Sequence, residues 1–526
     1  MSTSNITKYI VDNCTSWNKI AFVWRGENIS YGEFFSLTEK VAARLQALDV
    51  KRGQRLLLSM NDTPATIACL LGALWVGAVP VLLNPRLSSE TFKYILEDSE
   101  AVLVICESAS ANEIRRIIDE TREGIRVLVQ DLYPRQDVGE AVGLGNLMGA
   151  YEVPPFVGLH GDEGAYWQYT SGTTGKPKAV IHHSWAMIRN AQLFGTSVLG
   201  ITSSDRIYST AKLFFGYGLG NSLFFNLLSG ATALLDDRWP TPEILLENAG
   251  SFSPTIFFST PSLYNVMYAR GTEFKKCMAE KSRYCSAGAH LPAPLFQKWK
   301  DTLDIEILDG IGATEVSHIF VCNRPGRARA GVTGKVVPGY EVRLLDKNGS
   351  AVPMGTTGVL WVSGPSVGLG YHNRPNESHD RFRERWYRTG DVFVQDTDEN
   401  YTYVGREDDL FKSKGRWVSP VEIETHVMEK FSEVSEVAVV PTEDKDGLTV
   451  PTLCLVMHSP ILGRMRIENI ENRIRESMSG NFDSFKQPKH YYFFPTLPKN
   501  ENGKLMRSVL IDSLYREMRL EMSNLS

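Results

Sequence analysis

The stretch from Tyr169 to Lys178, YTSGTTGKPK, gathers hydroxyls, glycines and lysines into one turn-forming segment. Gly172 and Gly175 free the backbone to take positive φ and aim its N–H groups at an anion, the geometry a phosphate needs. Thr170, Ser171, Thr173 and Thr174 add hydroxyl donors, and Lys176 and Lys178 add positive charge. A nucleoside triphosphate is the ligand that suits this chemistry. The spacing is not that of the widespread G-x-x-x-x-G-K-[ST] loop, because Gly172 stands three residues before Gly175 and Pro177 follows Lys176.

Such a loop has to be held by ordered elements. Between about residues 55 and 310, short apolar runs (RLLLSM, VPVLLN, RIYST, ATALLD, TIFFST) alternate with longer amphipathic or apolar stretches. That alternation predicts parallel strands with helices on the sheet faces, an α/β fold. After Gly331 the texture changes to EVRLLDKNGSAVPMGTTGVLWVSG, whose Asn-Gly and Gly-rich turns predict a β-rich part. From near Gly405 a third texture begins: EIETHVMEKF as a helix, EVAVVPTED and TLCLVMHS as strands, a charged helix around 464–479, then YYFFP. The uncharged stretch 65–84 approaches membrane-span length, but Gly77 and Pro80 interrupt it, so it reads as helix, turn and buried strand.

At 526 residues the chain exceeds the size at which one core stops growing, so several domains are expected. With 43% hydrophobic and 22% charged residues it is an ordinary globular chain, and a formal charge of −5 argues against nucleic acid as a partner. The seven cysteines are scattered and never spaced C-x-x-C, so neither a disulfide framework nor a zinc site is expected. The start, MSTSNITKYIVDNC, lacks a basic segment followed by an apolar one. A cytoplasmic protein without a membrane partner, monomeric or homodimeric, is the expectation.

Together with the loop, GIGATE at 310–315, YRTGD at 387–391, GREDDLFKSKGRWVSPVEIE at 405–424 and PKNENGKLMR at 498–507 make the chain resemble the adenylate-forming superfamily. Within it, the sequence is most similar to benzoate-CoA ligases. The resemblance implies a large N-terminal domain, 1–406, of parallel-rich sheets with a β-rich subdomain at 331–406, and a small mobile α+β C-terminal domain, 407–526. It also implies the chemistry: a carboxylate attacks the α-phosphate of ATP to give an acyl-adenylate and pyrophosphate, and a thiol then displaces AMP.

Each residue role follows from that resemblance. Lys504 bridges the carboxylate and α-phosphate, Thr314 donates to that phosphate, and Glu315 holds Mg²⁺. Asp391 accepts from both ribose hydroxyls with help from Arg406, and Asp309 or its neighbour Gly310 meets the adenine edge. Asp408 is the hinge, and Lys414 and Gly415 line the thiol tunnel, where a lysine stands in place of a small residue. Lys212 orients the substrate carboxylate, and Gly216, Tyr217, Ala287, Gly312, His318 and Ile319 wall the acyl pocket. The small residues there are expected to leave a flat slot for an aromatic ring, with no carboxylate to meet an α-ammonium.

The expected activity is an acid-thiol ligase acting on benzoate or a hydroxy- or aminobenzoate, with ATP, Mg²⁺ and CoA. An acyl carrier protein is the alternative acceptor. A non-catalytic nucleotide sensor is a further alternative, disfavoured because Lys504, Glu315 and Asp391 are all retained.

Overall fold

The short β-branched runs form the parallel strands expected of them. In the computed structural model, which describes residues 4–121, 124–130, 152–160, 163–170, 176–431, 433–444, 446–458, 464–499 and 505–523, two large sheets hold most of these strands. Arg55–Ser59, Val79–Leu83, Leu103–Cys106 and Arg126–Val129 lie parallel in a seven-stranded sheet, which Gly164–Thr170 joins beside Val79–Leu83. Arg206–Ser209, Thr232–Leu235, Ile256–Ser259, Arg283–Ser286 and Ile307–Gly312 form the parallel part of a nine-stranded sheet.

The uncharged stretch resolves as expected into the helix Pro64–Trp75 and the strand Val79–Leu83. Thr63 caps the helix by accepting from the Thr66 N–H, Pro64 occupies its first turn, and every one of its residues is buried. Its lack of charge therefore reflects packing on all sides inside a core. Among the described residues no helix is long and apolar enough to cross a membrane.

By compactness the chain divides into two units: Met1–Leu291 with Leu295–Val342 and Trp361–Thr389, and Pro292–Pro294 with Arg343–Leu360 and Gly390–Ser526. In the second, Val434–Glu443 and Thr449–Met457 pair antiparallel and His490–Phe493 adds a parallel strand. Strand alternation gives this sheet two buried faces. Val439, Leu453 and Leu455 pack with Ile423 and Val427 of the helix Pro420–Lys430 and with Ile474 of Arg464–Asn481. Ala438, Val440 and Cys454 face Leu510 and Leu514 of Arg507–Ser523.

Candidate active site

The phosphate-loop segment connects two antiparallel strands, Gly164–Thr170 and Lys178–His183, whose last ladder pair is Thr170 with Lys178. Ser171, Gly172, Thr173, Thr174 and Gly175 lie outside the described residues. Both ends of the segment are clamped. The Tyr169 hydroxyl donates to Asp98 at 2.8 Å, the Tyr94 hydroxyl donates to the Pro177 carbonyl at 3.2 Å, and Arg374 ties Asp98 and Tyr94 together by donating to both. Lys176 lies over the Tyr94 ring, and Lys178 forms an ion pair with Glu377.

Ile307–Gly312 leads into a tight 3-10 turn, Thr314–Val316, before the chain reverses into Ile319–Cys322. The reversal is made at Ser317, a non-glycine residue at φ 69° and ψ −47°, with the His318 N–H donating to the Val316 carbonyl at 2.9 Å. This is a γ-turn of the rare positive-φ kind, a strained conformation that neighbours must enforce. A buried network does so. The Ser317 hydroxyl donates to the Ser366 carbonyl and accepts from Nδ1 of His182, both at 3.1 Å, while the Ser366 hydroxyl donates to the Val316 carbonyl at 2.6 Å. Asn190 donates to the Ile319 carbonyl at 2.9 Å.

Glu315, 7% exposed, accepts at Oε1 from the Tyr371 hydroxyl at 2.6 Å, and its carbonyl accepts from the Gly368 N–H. Burial and the Glu315 charge push the Tyr371 phenol far up, so it stays a donor. Mg²⁺ commonly binds one or two carboxylates together with substrate phosphates, so a carboxylate with one oxygen fixed and the other uncommitted fits it. No group of side chains able to hold a metal by itself occurs among the described residues.

Of the residues expected to wall an acyl pocket, Gly216, Tyr217, Gly312, His318 and Ile319 meet at the same turn. Gly216–Leu219 opens a helical segment that continues through a π-helical turn, Gly220–Phe224. A Cβ at Gly216 would lie 2.3 Å from the Ser317 carbonyl oxygen, one at Gly220 would lie 2.4 Å from the His318 ring, and one at Gly312 would lie 2.7 Å from the His318 carbonyl oxygen. At Gly216 and Gly312 protein atoms stand where a Cβ would be, so close packing by itself requires glycine at both positions.

His318 is buried, with Nε2 3.2 Å from the Tyr217 carbonyl and 3.1 Å from Oδ1 of Asn221. Two acceptors at one nitrogen fix the proton there and leave Nδ1 a buried acceptor without a partner. Burial pushes its pKa down to about 3, so the ring is neutral. Tyr217 packs edge-on against Phe258 and beside His318, and its hydroxyl is buried without a partner. Ala287 and Ile319 are buried as well. Lys212 is buried, and its ammonium donates to the carbonyls of Asp236 and Arg238 at 2.6 and 2.7 Å, which fixes its position and leaves its third N–H for a carboxylate.

Asp309, next to Gly310 on the strand Ile307–Gly312, is buried with Oδ1 unpartnered, and burial raises its pKa to about 8. A carboxyl that keeps its proton offers a donor and an acceptor together, the pair that an amino group beside a ring nitrogen, as on adenine, would meet.

In the second unit, Asp391 and Arg406 are directly paired across antiparallel strands, and Arg406 donates to Asp391 at 2.9 Å. Asp408 is exposed in the turn that follows Arg406. Lys414 and Gly415, at φ 49° and 76°, form the two-residue turn of a hairpin between Phe411–Ser413 and Arg416–Val418. Both central residues at positive φ match the type I′ turn that fits strand twist. Lys504 lies outside the described residues, and the flanking Lys499 and Leu505 form an antiparallel bridge.

Two functional candidates escaped sequence reasoning: Tyr371, which holds Glu315, and Gln168, buried beside Gly216 with no hydrogen-bond partner. Tyr371 lies outside the motifs and carries no local signal. Gln168 carried one: a carboxamide in an otherwise apolar and aromatic central strand, AYWQY.

A family model for AMP-binding enzymes matches residues 12–372, and one for the C-terminal domain of AMP-binding enzymes matches 422–504. An anthranilate-CoA ligase of Pseudomonas aeruginosa is 37% identical over 98% of this chain and 98% of its own. A 4-hydroxybenzoate-CoA/benzoate-CoA ligase of Rhodopseudomonas palustris is 35% identical over 95% of this chain and 91% of its own. A crystal structure of an anthranilate-CoA ligase in complex with anthranoyl-AMP superposes with a TM-score of 0.89 at 29% identity, covering 98% of both chains. The clamped strand ends at Thr170 and Lys178, the acidic turn at Glu315 and the Asp391–Arg406 ladder pair thus stand in a chain that belongs to the AMP-binding enzyme family and has the adenylate-forming fold.

Proposed function

We propose that this protein is an AMP-forming ligase that joins an aromatic carboxylic acid to CoA. In the first step a carboxylate oxygen attacks the α-phosphorus of ATP, an O–P bond forms and pyrophosphate leaves. In the second, a thiolate attacks the acyl carbonyl, a C–S bond forms and AMP leaves.

The observation that carries the aryl reading is the apolar character of the buried residues at and about the Ser317 turn. Tyr217, Ala287, Ile319 and a neutral His318 offer apolar surface and uncharged polar edges, and none of them carries the carboxylate that an amino acid's ammonium would need. Relatives named for anthranilate and benzoates support the same substrate class.

Thr314 and the phosphate loop with Lys176 and Lys178 bind the phosphates, Asp391 and Arg406 the ribose, and Asp309 with Gly310 the adenine. Mg²⁺, held through Glu315, would offset triphosphate charge. Lys504 compensates the two anions as they approach, and Asp408 is the pivot about which the C-terminal part, from 407 onward, changes position between steps. CoA is the favoured acceptor because the hairpin around Lys414 presents Lys412, Lys414 and Arg416 beside an exposed Trp417, a set suited to a phosphorylated adenine nucleotide. All seven cysteines are free thiols, in keeping with a reducing cytoplasm.

The test is ATP–pyrophosphate exchange with benzoate, the monohydroxybenzoates and the aminobenzoates, followed by addition of CoA. Exchange with at least one acid and formation of its thioester is expected. No exchange with any of them overturns the aryl assignment, and exchange without transfer to CoA turns the second step toward a carrier protein.

A further inference from the structure

Gln168 sits at a central position of the strand Gly164–Thr170, in register with Val180 on one side and Leu82 on the other, and is 1% exposed. Neither Oε1 nor Nε2 has a hydrogen-bond partner, although both atoms are shielded from solvent. Buried side-chain polar atoms are nearly always paired, and a carboxamide with both ends unpaired inside a sheet is a group awaiting something that binds.

The fold fixes where that partner comes from. Trp167 and Tyr169 enter the apolar cluster on one face of the sheet, so Tyr166 and Gln168 point to the other. On that face Tyr166 stacks on His182, which holds Ser317. A Cβ at Gly216 would lie 3.3 Å from Oε1 of Gln168 and 2.3 Å from the Ser317 carbonyl oxygen, so the carboxamide stands among Gly216 and the turn that carries His318. These are the residues to which the aromatic acid is assigned.

Resting on that assignment, we propose that Gln168 is a specificity-determining residue, hydrogen-bonding a neutral amino or hydroxyl substituent on the ring of the acid. A carboxamide presents a donor and an acceptor together, and an amino or hydroxyl group answers both. The acid's own carboxylate would satisfy Nε2 alone, leaving Oε1 unpaired. Unsubstituted benzoate leaves both ends unpaired, and sites built to bind a polar substituent discriminate strongly against the analogue that lacks it.

The experiment is pyrophosphate-exchange kcat/KM for benzoate, the aminobenzoates and the monohydroxybenzoates with the wild type and Gln168→Leu. In the wild type the best substituted acid is expected to exceed benzoate by at least about tenfold, and in Gln168→Leu that ratio is expected to fall by at least about tenfold. The amino and hydroxyl arms identify the group that is read. A smaller fall in the ratio, or an equal loss for every acid as carboxylate binding would give, overturns the proposal. Gln168→Met serves in the same measurement if Gln168→Leu lacks a cooperative thermal transition. Wild-type exchange with none of the acids removes the aryl reading itself, whereas exchange with an unaltered ratio removes only the role of Gln168.

Discussion

The phenol of Tyr371 donates to the carboxylate of Glu315 at 2.6 Å, across 56 residues of sequence, inside a buried pocket of the first unit. One carboxylate oxygen is thereby fixed, and the proposed metal-binding role falls to the other. Tyr371→Phe leaves Oε1 of Glu315 buried and unpaired, and a hydrogen bond to a charged group is worth about 1.5–3 kcal/mol. The adenylation kcat/KM is expected to fall by about tenfold or more, with half-saturation shifted to higher Mg²⁺. Glu315→Gln is expected to cost more, about 10²–10³-fold, because it deletes the charge itself. Pyrophosphate exchange titrated with Mg²⁺ checks both, and an unchanged Mg²⁺ dependence in Tyr371→Phe would separate the pair from the metal.

Lys504 is assigned to the first step only, so its loss should separate the two half-reactions. Lys504→Ala is expected to lower pyrophosphate exchange by about 10²–10³-fold, the scale of removing one charge-stabilising donor from a transition state. Thioester formation from a synthetic aryl-adenylate and CoA is expected to suffer far less. The chain on either side is anchored by the Lys499–Leu505 bridge and by the Met506 N–H donating to the Pro498 carbonyl at 2.9 Å, so the substitution tests charge rather than folding. Equal loss in both half-reactions would contradict the assignment.

The legible parts of this molecule are those in which neighbouring residues cooperate. The alternation of apolar runs gave the parallel strands, and the uncharged stretch at 65–84 divided into helix and strand because Gly77 and Pro80 punctuate it. Asp391 and Arg406 were each named from motifs, and the ladder makes them partners. What stayed hidden depends on residues far apart in sequence. Gly216 reads equally well as room for a ligand or room for the protein, and only its approach to Ser317, about a hundred residues later, decides between them. Tyr371 carries no local pattern because its meaning lies wholly in reaching Glu315.

That close approach makes Gly216 a sharp test of the packing argument. A methyl group there would meet the Ser317 carbonyl oxygen at 2.3 Å, and a backbone atom inside a network-held γ-turn has little room to retreat. Gly216→Ala is expected to cost about 1–3 kcal/mol of stability, as overpacking does, and to lower exchange by displacing the Glu315–His318 turn. Gly480→Ala is the contrast: nothing lies within 4 Å of its Cβ position in the helix Arg464–Asn481, and alanine there should stabilise by about 0.5–1 kcal/mol. Urea unfolding curves of both variants check the signs. A neutral Gly216→Ala would mean that the turn yields.

His182 and His318 give the protein an acid-side dependence of stability. Burial pushes each from the ordinary 6.5 down to about 3, so the folded state refuses a proton that the unfolded chain accepts. Stability is therefore full above about pH 6.5 and is lost as pH falls toward 3, at about 1.4 kcal/mol per pH unit for each ring. Asp309, raised to about 8, works in the opposite sense, favouring the folded state as pH falls. Comparing variant with wild type cancels that contribution. His182→Asn keeps a donor for the Ser317 hydroxyl while removing the titration, so its unfolding free energy is expected to depend on pH less steeply, by about 1.4 kcal/mol per unit between about pH 4 and 6. Chemical denaturation at a series of pH values measures this directly. An unaltered slope would mean that His182 takes up its proton without unfolding, and that the Ser317 turn tolerates a charge beneath it.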